Sequence, residues 1–134
     1  MSVETIIFSK LTSVAGLTDL VKTRIFPLLA PQDITKPFVT FQRISSGRVK
    51  NLQGASFTAQ TRFQIDCYAT SYISARQIAE QLRLALDGWS DYTANPAIKG
   101  SSLITDSDFS ITETDPKLYR VMMEFLITHD EAQS

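Results

Sequence analysis

The sequence predicts an α+β domain in which an antiparallel four-stranded sheet carries two helices packed on one face. Apolar residues recur at helical spacing near the N-terminus and again over about residues 72 to 87. In the segments between and after these helices they alternate with polar residues, as in half-buried strands. The predicted order is helix, strand, strand, helix, strand, strand, and short links between consecutive strands favour antiparallel pairing.

The N-terminal helix is predicted over residues 3 to 14, followed by a short helical turn at 17–21. Arg24 to Phe26 is interpreted as a short strand, extra to the four, or as an extended segment. Three prolines, Pro27, Pro31 and Pro37, then stiffen a connection that crosses the surface. Because proline lacks an N–H group and Pro37 stands at the entrance of strand 38–44, this strand is expected at an edge of the sheet.

The next segment, "SSGRVKNLQGAS" at residues 45–56, is rich in small and polar residues and is interpreted as a mobile loop that orders on assembly. The strand "FTAQTRFQIDCYA" follows it. The clearest helix then spans about 72 to 87, with Ser71 or Thr70 as its cap and Gly88 at its end.

Two further strands are predicted near 101–113 and 117–129, joined by the turn sequence "ETDPK". In the last strand Tyr119, Val121, Met123, Phe125 and Ile127 share one face. Met122 and Leu126 make the other face partly apolar, so a helix or another subunit is expected to cover it. The whole chain, 1–134, is expected to form one domain with a flexible tail at 130–134.

The composition narrows the class of function. The net charge of −1 and the pI of about 5.7 lack the overall basic character of a general nucleic-acid binder. One cysteine cannot form an internal disulfide, the N-terminus does not resemble a signal peptide, and no apolar run approaches the roughly 20 residues of a membrane span. These features predict a protein that folds in a cytoplasm and has no membrane partner.

Candidate catalytic and metal-binding residues are few. His129 is the only histidine and lies near the end of the chain, and Cys67 lies on the apolar face of a strand, where a thiol is usually a small hydrophobe. The acids Asp106, Asp108, Glu113 and Asp115 lack the ligand pattern of a calcium loop. The sequence therefore predicts no enzyme, no metal site and no cofactor.

Four basic residues, Arg43, Arg48, Lys50 and Arg62, lie in or beside the 45–56 segment. They form either an ordinary solvated surface or, if they converge, a positive patch that contacts a polyanion or an acidic partner.

Several short segments, in order along the chain, carry a resemblance to a known family. They are "RIFP", "APQD", "KPFVTFQRIS", "QIDCYA" and the helical "ARQIAEQLRLALDG". Together they resemble the tail-completion, or head-to-tail joining, proteins of siphophages and related prophages, over about residues 3 to 129. This family is related to tail-terminator proteins.

The resemblance implies a structural virion protein without catalysis or cofactor. It implies a ring, commonly of six subunits, that caps the head-proximal end of the tail tube and meets the head connector, with DNA in the lumen as a further partner. The hypothesised interface adds Phe38, Val39 and Phe41 to the four basic residues. The alternatives are a tail-tube terminator or minor tail protein acting only on the tail, a small enzyme using Cys67, Asp66 and His129, and a nucleic-acid-binding module.

Overall fold

The structure is a computed structural model that describes residues 3–31, 34–51, 54–94, 96–111 and 117–130. At positions 46, 48–51, 54–57 and 111 it describes the backbone alone. Its elements, in chain order, are α1 (Val3–Ser13), α2 (Ala15–Val21), β1 (Ile25–Pro27), β2 (Phe38–Asn51), β3 (Gly54–Ala69), α3 (Tyr72–Leu86), β4 (Ile98–Ile111) and β5 (Leu118–Asp130).

The helices lie close to where the hydrophobic periodicity predicts them. Helix α1 ends one residue before the expected 14, and α3 begins after Ser71, whose hydroxyl accepts a hydrogen bond from the Ser74 N–H at 3.1 Å. This cap satisfies one of the N–H groups that a helix start leaves without a partner. Gly88 follows α3 with φ of +84°, a conformation that glycine adopts without steric cost.

The expected four-stranded antiparallel sheet with two helices is wrong. The sheet has five strands in the order β1-β2-β3-β5-β4, β1 runs parallel to β2, and three helices lie within the described residues. Hydrogen bonds from Leu28 N–H to Phe41 O and from Val39 N–H to Arg24 O, both 2.9 Å, hold β1 against β2. The beginning of β2 is therefore an interior position, and the expectation of an edge strand at 38–44 is wrong over residues 39–41.

The structure also differs from the loop expected at 45–56. Residues 45–51 continue β2 and residues 54–56 continue β3, and the two strands remain paired as far as Asn51 opposite Gly54. Strand β3 pairs with β5 only from Thr58 onward, so the end of this β2–β3 hairpin projects beyond the sheet. Its expected mobility before assembly stays a prediction.

One face of the sheet forms the core under the helices. Side chains on this face alternate along β2, β3 and β5 with those on the opposite face, as the pleat requires. Helix α3 packs against β3, β4 and β5, and α2 packs between α1 and α3. Buried residues on this face include Val39, Phe41, Phe63, Ile65, Cys67, Val121, Met123, Phe125 and Ile127.

Two predicted segments, the turn between β4 and β5 and the tail after β5, lie largely outside the described residues. The "ETDPK" turn predicted between the last two strands falls largely on residues 112–116, and the predicted tail falls on 131–134, all of which lie outside them. Asp130, placed in the tail by the sequence, is the last residue of β5.

Helix α3 offers a matched test of the core. Leu82 is fully buried, whereas Leu84, two residues later on the same helix, is 60% exposed. We expect Leu82→Ala to lower the free energy of unfolding by about 2–5 kcal/mol, since it removes buried methyl groups and leaves a cavity. Leu84→Ala should change it by no more than about 0.5 kcal/mol. Urea unfolding of both variants measures the difference, and equal losses would contradict the packing of α3.

Candidate assembly surfaces

The face of the sheet opposite the helices, here called the open face, is polar, and its charged side chains form ion pairs with one another. Arg120 Nε lies 3.2 Å from Asp66 Oδ1, and Arg62 Nη1 lies 3.7 Å from Glu124 Oε2. Asp66 is buried although it lies on this face, because Arg120 and Gln64 both donate hydrogen bonds to it. This arrangement makes the open face a wettable surface.

An apolar strip lies at the β1 end of the open face, where the proline-rich connection crosses. Leu28 and Leu29 are 65% and 83% exposed, and the ring of Phe38 stacks on Tyr68 with 4.7 Å between centroids. A groove of about 290 Å³ runs between this connection and the sheet, with Leu118 at its far side. Met122 and Leu126, expected under a helix or subunit, are half-buried on this face, opposite the helices.

The outer edge of β2 is open beyond β1. Val39 N–H and Phe41 C=O point outward to β1, and both residues lie opposite core-facing residues of β3. Peptide groups alternate in direction along an antiparallel strand, so the later residues opposite core-facing positions also point outward. These are Arg43, Ser46 and Arg48, opposite Phe63, Thr61 and Ala59, with a bulge between Arg43 and Ser45.

The outer edge of β4 is covered over its first half only. Asp91 exchanges two backbone hydrogen bonds with Ile98, Gly88 N–H donates to Ser101 O at 2.7 Å, and Leu103 N–H donates to Asp87 Oδ1 at 3.1 Å. By the same alternation Asp106, Asp108 and Ser110 point their peptide groups outward. No element of the described residues pairs with the edge at these three positions.

On the helix side, the free part of β2 carries the basic residue Arg43, whereas the free part of β4 carries the acids Asp106 and Asp108. At the β2 edge, Arg43 Nε lies 3.1 Å from Glu4 Oε1 and remains half exposed. At the β4 edge, Arg76 of α3 lies 3.4 Å from Asp106 Oδ2 and 3.2 Å from Asp108 Oδ1.

Tyr72 completes the acidic edge. Its hydroxyl donates to Asp108 at 2.7 Å, and this hydrogen bond raises the pKa of Tyr72. From the sequence, Asp106 and Asp108 are considered only as candidate metal ligands, and no role is assigned to Tyr72 or Arg76. Their spacing of four residues on one predicted helix face was the signal available.

The structure does not bring the four predicted basic residues together. Arg43 lies on the helix side of the sheet with Glu4, whereas Arg62 lies on the open face with Glu124. Arg48 and Lys50 lie in the projecting hairpin, where only the backbone is described. Of the predicted apolar interface residues, Val39, Phe41 and Phe38 are all buried.

The enzyme alternative based on Cys67, Asp66 and His129 lacks the necessary geometry. Asp66 and Cys67 are neighbours in β3 and point to opposite faces. His129 lies opposite Ala59, eight residues along β3 from Cys67, which corresponds to about 26 Å. Burial raises the pKa of the Cys67 thiol, which disfavours the nucleophilic thiolate.

His129 is a buried structural residue near the end of β5, within the strand that the sequence predicts over 117–129. Its Nδ1–H donates to Asp130 O at 2.7 Å, and in the neutral ring Nε2 accepts from the Thr61 hydroxyl at 2.7 Å. Both ring nitrogens thus have partners.

The acids considered for a metal have a different role where they are described. Asp106 and Asp108 bind Arg76, as above, while Glu113 and Asp115 lie outside the described residues. In the part of the chain that the structure covers, no cluster of three or more His, Cys, Asp or Glu side chains could hold an ion. Nor does any helix in that part have the length and apolar character to span a bilayer.

A family model for tail completion protein gp17 matches residues 5–130. The chain belongs to the tail completion protein gp17 family. This membership, expected from the ordered segments of the sequence, makes it a structural protein of tail assembly that is associated with the virion and contacts other virion proteins.

A solved structure shares the fold of this family member. A chain in the virion of a native gene transfer agent particle is similar to it with a TM-score of 0.77 and 16% sequence identity. The match covers 96% of this chain and 95% of that one. A comparison with curated proteins finds no match.

If the protein has a structural role, Cys67 and His129 can be replaced without loss of assembly. We expect Cys67→Ser and His129→Ala to leave the yield of complete tails unchanged. Each should lower the free energy of unfolding by about 1–3 kcal/mol, since one buries a hydroxyl and the other leaves Thr61 without its partner. Tail counts by electron microscopy and urea unfolding check both effects. Loss of assembly by a variant that still folds would favour the enzyme alternative.

Proposed function

We propose that the protein forms a ring at the head-proximal end of the tail tube and joins the tube to the head connector. The observation that carries the proposal is the match to the tail completion family over nearly the whole chain. The ring is proposed to contain six subunits. Its subunits would fold in the host cytoplasm and reside at the head–tail interface after assembly.

The open edges support a ring in preference to a dimer. The free parts of β2 and β4 lie on opposite sides of the sheet and differ in sequence and charge. A contact between two different surfaces of the same chain repeats from copy to copy, and it closes into a ring when the rotation permits. A two-fold dimer would instead use one surface twice.

The remaining surfaces suit two different partners. The apolar strip at Leu28 and Leu29 and the paired charges of the open face offer an area for a tube or connector protein. Val39 and Phe41 are buried, so the part of β2 proposed to meet partners is its backbone edge with Arg43. The projecting hairpin carries Arg48 and Lys50, which we propose face DNA in the lumen or an acidic neighbour.

A null mutation in a phage or prophage that encodes the protein tests the proposed function. We expect full heads and free tails of normal length, because the tube would assemble but lack the joint. Negative-stain images and complementation by the intact protein measure this outcome. Free tails of uncontrolled length would instead favour a terminator that acts only on the tail, and joined particles would overturn the proposal.

The hairpin charges offer a second test. We expect Arg48→Glu with Lys50→Glu to reduce the number of joined particles, because a negative hairpin repels DNA phosphates or acidic side chains. Lys22→Glu with Lys117→Glu is the matched control, since it makes the same change in net charge at exposed positions of other segments. Counts of infectious particles compare the two variants. Equal yields would exclude a role for the hairpin charges.

A further inference from the structure

We propose that neighbouring copies join edge to edge, with the free part of β4 in one copy adding to the free part of β2 in the next. This inference rests on the proposed ring and specifies its subunit contact. A strand edge presents unpaired N–H and C=O groups, which are a template for pairing with another chain. A second copy of this chain is the occupant because it supplies a free edge of matching direction, length and charge.

The strand directions agree with this contact. If β2 is drawn upward, β3 runs down, β5 runs up and β4 runs down. When a second copy continues the sheet with its helices on the same side, its descending β4 meets the ascending β2. The junction is therefore antiparallel, like every pair in the sheet except β1–β2.

The two free edges also agree in length. Each offers three outward-pointing positions, Arg43, Ser46 and Arg48 on β2 and Asp106, Asp108 and Ser110 on β4. The pairing that uses all of them sets Asp108 opposite Ser46, Asp106 opposite Arg48, and Ser110 beside the bulge at Arg43. Strand β1 pairs with β2 just before the free part of β2. The loop from Asp87 to Asp91 binds the edge of β4 just before the free part of β4.

The charges at the junction are complementary. Arg43 and the pair Asp106 and Asp108 are on the helix side of their strands, so they lie on one side of the continued sheet. In this register Arg43 is diagonal to Asp108, a separation that a long side chain can span. The junction would join two existing ion pairs into one network, with Glu4 at one end and Arg76 at the other.

The register also suits a closed ring. Position 46 is level with Ile127 of β5 and position 108 with Val121, so each copy is offset by six residues from the next. That offset is about 20 Å along the strands, against a width of about 19 Å for the four strands that each copy adds, because β1 lies in line with the neighbouring copy's β4. Strands would incline by about 45° to the ring axis, at the upper end of the roughly 35–45° tilt of closed β-barrels.

A disulfide between copies tests the register directly. Gly47 and Ser107 would face each other at the junction, and a Cβ added at Gly47 meets no atom within 4 Å. Within one copy these positions are about 24 Å apart, from three strand spacings and six residues, far beyond the roughly 7 Å limit on the Cα separation of a disulfide. In tails assembled with Gly47→Cys and Ser107→Cys, we expect oxidation to link most copies into a ladder of bands that ends at the ring.

The control pair is Gly47→Cys with Ser102→Cys, which uses the same open face of β4 about four register positions, or roughly 14 Å, away from Ser107 because of the bulge between Leu103 and Thr105. It should give no ladder, and neither should Gly47→Cys alone. If the first pair gives intact rings but no ladder, the edge pairing is wrong, whereas the proposed ring is retained. A ladder from the control pair would overturn the register. Absence of any ring in wild-type tails would instead reject the proposed function.

A charge exchange provides a second measurement that does not depend on cysteines. We expect Arg43→Glu to lower incorporation into tails about tenfold, because it sets a like charge diagonal to Asp108. Adding Asp108→Lys should restore most of the loss. Arg83→Glu, an equal change in charge at an exposed position of α3, should have no effect. Failure of Arg43→Glu to reduce incorporation, or of the double variant to recover it, would overturn the junction.

Discussion

The pairing of β3 with β5 is the constraint on which the rest of the structure depends. It runs without a shift from Thr58 opposite Asp130 to Ala69 opposite Tyr119, and it sets Phe63 against Phe125 in the centre of the core. A slip of either strand by one residue would turn its phenylalanine ring to the open face and bury its ion-paired residues instead. The positions of β2 and β4 follow from this pair, since each strand extends it on one side.

Covering only one face of the sheet has a consequence for assembly. The helices cover the apolar residues of the core side, so this core is complete within one copy. The opposite face stays wettable because its charges are paired with one another. The backbone at two strand ends remains without partners in the part of the chain that the structure describes. Such backbone groups can pair with a strand of another chain, and this kind of association does not require a large exposed apolar surface.

The sequence predicts well the elements that bury a regular stripe of side chains. Helix α3 and strand β5 show clear periods of 3.6 and 2, and both lie within a few residues of their predicted bounds. Strand β1 is harder to predict because three residues cannot show a period, and its place depends on hydrogen bonds to a distant segment. The hairpin is hard to predict for a related reason, because the pairing of backbone groups makes residues 45–51 and 54–56 parts of a strand pair despite the small and polar residues of this segment. The candidate site depends on register, which places Arg43 and Arg62 on opposite faces although both flank the same segment.

The burial of Cys67 protects its thiol from oxidation. Oxidants attack thiols that are exposed and ionised, and this thiol is neither. It is also the chain's single cysteine, so two copies have no accessible sulfur with which to form a covalent bridge. Contacts between copies of this chain therefore do not depend on a disulfide through an exposed cysteine.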